Sequence, residues 1–200
     1  MATDGRDLPA GDFADWLTGT RAVLRGHGDA AVPCGGCTAC CRSSQFVHVH
    51  ADETDTLAHI PAELLFPAPQ LPAGHRLLGY DEDGACPMLV DDRCSIYDHR
   101  PRACRTYDCR IFPAAGVQPD ADDATKVAIG ERARRWRFGT PTPADREQLA
   151  AVQAAARHLA VHGIPPDDAS PGNAIELALA AIAHHDRFMP DAGGSDRPFG

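Results

Sequence analysis

Cys34-Gly35-Gly36-Cys37-Thr38-Ala39-Cys40-Cys41 places four thiols within eight residues, and Cys86, Cys94, Cys104 and Cys109 follow. A packed apolar core does not need thiols at this density, whereas a thiophilic metal does. Cys-x-x-Cys spacing folds the backbone back so that both sulfurs face one point, as zinc knuckles and iron–sulfur loops require. Cys34, Cys37 and Cys40 continue that spacing for three ligands. Cys41 directly follows Cys40, so its side chain leaves at a different angle. It closes a multinuclear cluster, serves a second centre or stays a free thiol. Gly35 and Gly36 relieve the tight backbone and leave amides free to point at thiolate sulfur.

Eight cysteines make two tetrahedral four-cysteine sites, two iron–sulfur centres, or one site plus redox thiols, and the spacing does not choose the pairing. Cysteine in abundance over scattered histidine favours soft-ligand metals such as zinc or iron in clusters. A disulfide framework is the competing use of the same residues. Two features oppose it. The first fifteen residues are acidic and lack the basic flank and apolar run of a secretion signal. The apolar stretch near Ile175 to Ala183 is alanine-rich, broken by charge and too short to span a bilayer. The expectation is a cytoplasmic protein with no membrane segment, where close-spaced cysteines act as metal ligands or reactive thiols. Lys plus Arg number 19 against 28 Asp plus Glu, a formal charge of -9. That balance opposes a nucleic-acid footprint and leaves a protein of unidentified kind as the expected partner. It sets no oligomeric state.

Phe13, Trp16, Leu17, Val23 and Leu24 recur at helical spacing behind Asp12 as an N-cap, with Gly26 and Gly28 as the stop. Gln45 to His50 alternates as a short strand. Asp52 stands where it can cap a short helix over Thr54 to Ile60, and Pro61 begins a turn through Leu65. Pro67, Pro69 and Pro72 enforce a loop. His75 to Tyr80 reads as a strand and Asp83-Gly84 as a turn. Cys86 to Val90 and Cys94 to Tyr97 read as arms of a hairpin around Asp91-Asp92-Arg93. Arg100-Pro101 starts a turn or short helix carrying Cys104 and Cys109.

Residues 126–138 read as strand then helix. Residues 143–162 form a helix with Leu149, Val152, Ala156, Leu159 and Ala160 on its apolar face and Gly163 as its stop. A second helix covers 171–186. The sum is an α+β protein: a small cysteine-rich metal-binding domain of short strands and loops, packed against N- and C-terminal helices. One domain is expected over residues 1–190, with the cysteine core at 34–113, the helical part at 126–186 and a disordered tail at 191–200.

With both cysteine groups in view, the chain resembles the YkgJ-like cysteine-cluster proteins, a zinc- or iron-chelating family. Cys34-x-x-Cys37-x-x-Cys40-Cys41 carries the CxxCxxCC signature. Cys86-Pro87-Met88-Leu89 and Cys94-Ser95-Ile96-Tyr97-Asp98-His99-Arg100-Pro101-Arg102-Ala103-Cys104-Arg105 are similar to its downstream segment, and Cys109 to its trailing cysteine. The ordered combination is far more specific than Cys-x-x-Cys alone. The resemblance implies metal chelation by all eight cysteines. Some larger relatives look like protein lysine N-methylases, which keeps methyl transfer open, but no glycine-rich cofactor fingerprint follows a clear strand here.

Three functional expectations follow: an iron–sulfur protein with a redox or cluster-assisted role, a structural zinc-binding interaction module, or a metal-dependent lysine methyl-transfer enzyme or its accessory. Around the thiols, Arg100 and Arg105 are placed to offset thiolate charge, through carboxylate partners or by direct donation to sulfur, and Tyr97 to pack its ring against the site. Asp98 and Asp108 are the acidic neighbours these arginines would otherwise tie down. His48 and His50 share one face of their strand and read first as surface or hydrogen-bonded residues, second as ligands. His99 reads as outward-facing and His184-His185 as a helix-end pair. Arg132, Arg134, Arg135 and Arg137 read as a solvated basic face.

Overall fold

The computed structural model describes residues 7–119, 123–164 and 173–190. Among them are helices α1 (Phe13–Leu24), α2 (Thr54–His59), α3 (Arg102–Thr106), α4 (Ile111–Ala115), α5 (Val127–Ala133), α6 (Pro143–His162) and α7 (Ala174–His184). The strands are β1 (Leu8–Asp12), β2 (Val47–Val49), β3 (Leu65–Pro67), β4 (Arg76–Leu78), β5 (Leu89–Val90), β6 (Arg93–Cys94) and β7 (Trp136–Gly139). The architecture is the expected α+β mixture of short strands and helices. The expected tail, 191–200, and the first residues of the expected 171–186 helix lie outside the described residues. Two compact units divide the chain: residues 1–21, 110–119 and 133–200 form one, and 22–109 with 120–132 the other.

The first unit is helical. Thr142 and Asp145 close a capping box at the start of α6: Asp145 N–H donates to Thr142 Oγ1 at 3.1 Å and Thr142 N–H to the Asp145 carboxylate at 3.0 Å. Asn173 and Glu176 do the same for α7. Asp145 also accepts from the Ala14 N–H at 3.0 Å, satisfying a free amide in the first turn of α1. Val152, Ala156 and Leu159 are buried as expected, joined by Ala151 and Ala155, whereas Ala160 is exposed and Leu149 only half-buried. The buried stripe is therefore shifted toward the alanines, whose small side chains let α6 and α7 pack closely.

Between them packs α4, ended by Gly116 in the left-handed region at φ 67°. This helix is too short to show a period, and the sequence reading had no element there. Residues 126–138 correct the expected order: helix α5 comes first and strand β7 second. Strand β7 needs β1 as its parallel partner, Leu8 opposite Trp136 and Asp12 opposite Gly139, a pairing no local pattern reveals.

The second unit holds all eight cysteines. Its three-stranded antiparallel sheet has the order β2-β4-β3, with Val47, His48 and Val49 opposite Leu78, Leu77 and Arg76. One sheet face supplies Val49 and Leu78 to a small core completed by Ile60, Met88 and Ile96, against which Cys86 and Cys94 pack. The β5–β6 hairpin turns at Asp91 and Asp92, with φ of 49° and 57°, the pattern of a type I′ turn. Two local expectations are corrected. The residue preceding α2 is Glu53, not Asp52, whose carboxylate pairs with Arg102 at 3.0 Å instead. Helix α3 carries Cys104 but ends before Cys109.

Candidate metal centre

The knuckle is held by its own backbone. Cys37 N–H donates to Cys34 O at 3.1 Å and Cys41 N–H to Thr38 O at 2.9 Å, with Gly35 at φ 57° making the first turn. Buried Ser43 donates its hydroxyl to Cys40 O at 2.8 Å. The downstream segment is tied on through Cys86 N–H to Cys41 O, 2.7 Å, and Ser44 N–H to Gly84 O, 3.0 Å. Gly84 is required for this approach: a Cβ there would stand 2.1 Å from Ser44 Oγ, and its φ of 76° already disfavours a side chain. Strand β6 ends on Cys94. Helix α3 is drawn in by Ala30 N–H donating to Arg105 O at 2.9 Å and by the Arg105–Asp29 ion pair at 3.0 Å.

All eight cysteines are free thiols, and the electrostatic influence of one on another sorts them. The thiol of Cys40 feels Cys109 most strongly, then Cys37 and Cys34. Cys41 instead feels Cys86 and Cys94 first, and Cys104 feels Cys86, Cys41 and Cys94. By the strongest influences Cys34, Cys37, Cys40 and Cys109 go together, and Cys41, Cys86, Cys94 and Cys104 go together, although Cys37 and Cys34 also act on Cys41 and Cys41 on Cys40. The peptide bond between Cys40 and Cys41 joins the two sets.

Burial is the leading cause that raises Cys34, Cys40, Cys41, Cys86 and Cys104, followed for most of them by the neighbouring sulfurs. Cys41 is pushed up to about 11 and Cys104 to about 12, and Cys40 further still. Cys34 and Cys86 move the same way. Cys40 and Cys104 reach the surface as residues, yet their thiols sit close enough to protein atoms to lose hydration. Without a cation these sulfurs stay protonated. A soft metal ion supplies the positive charge that four adjacent thiolates need.

Two buried donors stand among the thiols with no hydrogen-bond partner, Arg100 Nε and the Tyr107 hydroxyl. The Arg100 charge lowers both Cys34 and Cys104, one from each set, against the effect of burial. Tyr107 is raised by burial, then by Cys40 and Cys109. An unpaired buried donor costs about 1–3 kcal/mol. Neither donates to a thiol sulfur, so an acceptor for them would have to arrive with a bound group. Eight free thiols within one unit are a donor set whose chemistry fits a thiophilic metal.

Of the other sequence candidates, Tyr97 is exposed and carries the Arg100 guanidinium 3.6 Å from its ring centroid. Arg105 donates to Asp29 and to Arg100 O at 3.0 Å, with Glu53 at 3.9 Å, so its carboxylate partners are Asp29 and Glu53. Arg132 donates to Cys34 O at 3.1 Å, an anchor hidden within a run read as a solvated face. Tyr107 was not singled out by sequence, although its place between Cys104 and Cys109 was the available signal. His99 is exposed in part, pairs with Asp55 at 2.7 Å and stacks on His59. His185 is buried, its Nδ1 2.8 Å from Ile182 O. His48 and His50 come together with His75, on the sheet.

Among the described residues no helix is long and apolar enough to cross a membrane. Residues 33–129 match the model of the CxxCxxCC family, whose description reads "Putative zinc- or iron-chelating domain". No curated protein and no solved structure matches the chain.

Proposed function

We propose, from the match of residues 33–129 to the CxxCxxCC family, that the chain holds two four-thiolate iron–sulfur centres and exchanges electrons with a protein partner. The division of the thiols supports this reading most. Cys34-x-x-Cys37-x-x-Cys40 supplies three sulfurs to one set, while the next cysteine in the run, Cys41, joins the other. Two-cluster ferredoxins deal out their cysteine runs in the same way, with the fourth cysteine serving the second cluster. Cys34, Cys37, Cys40 and Cys109 would hold one centre, and Cys41, Cys86, Cys94 and Cys104 the other. Iron–sulfur centres supply one-electron storage when bound.

The chain's own groups set the conditions for that storage. Arg100 places positive charge between the sets, where it favours thiolate over thiol at Cys34 and Cys104. Tyr107 offers a hydroxyl donor beside Cys40 and Cys109. Arg105 holds the Arg100 backbone through its carbonyl, and the Tyr97 ring covers the guanidinium. The reading calls for a reducing compartment such as the cytoplasm, where thiols persist. Lysine methyl transfer needs an open ligand position, for which two complete sets leave no place.

A second reading has its own support. Among the described residues the cysteine unit's apolar cluster has five buried members with six partly buried residues against them, a small core that two closed zinc sites would staple into an interaction module. Anaerobic purification followed by metal, acid-labile sulfide and optical analysis separates the two. Iron with matching sulfide and visible charge-transfer absorption is expected; zinc alone, with neither sulfide nor colour, sinks the electron-transfer reading. Cys40→Ser and Cys41→Ser should then lose different metal. Adding Cys109→Ser to Cys40→Ser should remove little more, whereas adding Cys41→Ser should remove the remainder.

A further inference from the structure

The sheet β2-β4-β3 has two faces, and the core uses only one of them. Its antiparallel register sets Val47 opposite Leu78, His48 opposite Leu77 and Val49 opposite Arg76. One step further along the same ladder brings His50 opposite His75. Directly opposed residues share a face, and so do residues two apart on one strand. Val49 and Leu78 point into the core. His48, His50 and His75 therefore stand together on the other face, half-buried.

Their rings form a closed triangle, with centroids 4.4 Å apart for His48 and His50 and 5.1 Å for each ring to His75. One ligand nitrogen from each lies within 4.8 Å of the others, and His48 Nε2 is 2.9 Å from His75 Nδ1. From these positions we propose that His48, His50 and His75 form a three-imidazole site for a first-row divalent cation, zinc in the first instance, distinct from the cysteine centres. Zinc–nitrogen bonds of about 2.0–2.1 Å in a tetrahedron separate the nitrogens by roughly 3.3 Å, so small ring rotations complete the geometry. The 2.9 Å contact is an N–H···N bond between two rings. On metal binding, that proton moves to the other nitrogen of its own ring, leaving both facing nitrogens as lone-pair donors.

Local chemistry favours a neutral ring at His48. Desolvation, then His50 and His75, lower the pKa of His48. Glu53 is buried, accepts from the His50 N–H at 2.7 Å and places a negative charge close enough to act on His48. It thereby fixes the β2 end of the site through the backbone, and its negative charge, shared with the Arg102 N–H and Arg105, offsets part of that of a dication. Gly74 allows the close approach of the His75 strand: its φ is 95°, and a Cβ would meet Ala51 Cβ at 2.9 Å. Three protein ligands leave a fourth position for water or an external ligand, the arrangement of an open zinc site rather than a closed one. The triad Asp55, His59 and His99 also gathers ligand atoms. Its His99 nitrogen is already paired with Asp55 at 2.7 Å and its imidazoles stack face to face at 3.5 Å, so the sheet site is the stronger.

The test uses the full chain with its cysteine-held metal in place and reads metal above that baseline. Zinc titration by calorimetry should find one added equivalent. Cobalt should report it through ligand-field bands without new sulfur-to-cobalt charge transfer. His48→Ala, His50→Ala and His75→Ala should each weaken this equivalent roughly 100-fold or more, beyond the loss typical for a residue that only orients a ligand, with cysteine-held metal and far-UV circular dichroism unchanged. Should any variant misfold, nitrogen-15 imidazole resonances of the native protein provide the second readout, and zinc must shift those of His48, His50 and His75 together. No added equivalent, an added equivalent that survives all three substitutions, or unmoved imidazole resonances would overturn the site. Because the baseline is measured first, the outcome stands apart from whether the thiols hold iron or zinc.

Discussion

In the unit of residues 1–21, 110–119 and 133–200, Phe13, Trp16, Phe112, Trp136, Val152 and Ile182 are buried beneath long capped helices. In the unit of residues 22–109 and 120–132, the apolar cluster is Val49, Ile60, Leu78, Met88 and Ile96, and the helices are one or two turns long. The first has what a fold needs from burial and helix propagation. The second is turns, short strands and eight thiols. Small cores of this kind usually require a staple, and a metal bound only by the folded state supplies one, because its binding free energy becomes folding free energy. The difference teaches that one chain can stabilise neighbouring regions by different physics, with separate vulnerabilities.

Stripping the metal is the most severe way to break that comparison. Chelation under reducing conditions should unfold the cysteine unit, since structural thiolate metal contributes about 10–16 kcal/mol in small domains, while α6 and α7 keep their helical signal. Circular dichroism melts should resolve two transitions, of which only one responds to chelator; a single melt indifferent to it would place the cysteine unit among ordinary packed cores. Phe112→Ala acts on the other side. It should cost about 3–5 kcal/mol in the helical unit and leave metal content intact, as read by denaturant unfolding alongside metal analysis.

The smallest effect sharpens the contrast through pH. Thr142→Ala should cost about 1 kcal/mol by removing the α6 cap. The Asp145 carboxyl is held below its ordinary value, chiefly by the Thr142 hydroxyl and then by the Ala14 N–H. Its contribution is therefore present above the ordinary carboxylate pKa and disappears as the pH falls through the lower folded value. Unfolding curves across the acid range should show a shallower loss of stability in Thr142→Ala than in the parent chain. An unaltered acid limb would mean that Asp145 takes its stabilisation elsewhere.

The fold was legible where its causes are local. The limits of α6 were readable because Thr142, Pro143, Asp145 and Gly163 act within a turn of the helix ends. The β5–β6 hairpin was readable because Asp91 and Asp92 tolerate positive φ. Residues 126–138 were read in the wrong order, since the partner of β7 is β1, more than a hundred residues earlier. Helix α4 escaped because its five residues show no period. Around the cysteines, the surroundings that only the fold supplies, Tyr107 and the anchoring of Arg132 on Cys34 O, were not legible, nor was the meeting of His75 with His48 and His50 on the sheet. Each of these three acts on a residue distant in the chain or through a face defined by pairing.

The sequence by itself determined the eight-cysteine pattern that matches the CxxCxxCC family over residues 33–129, because residue type and short spacing are covalent facts. It left open how Cys40 and Cys41 divide. Only in the tertiary structure does Cys40 feel Cys109 most among the other thiols, and Cys41 feel Cys86 and Cys94. That division depends on the bond from Cys86 N–H to Cys41 O, on the bare Cα of Gly84 and on where α3 begins. Neighbours in sequence part company there because the electrostatics of a thiol follow distance through space, which only the folded backbone decides.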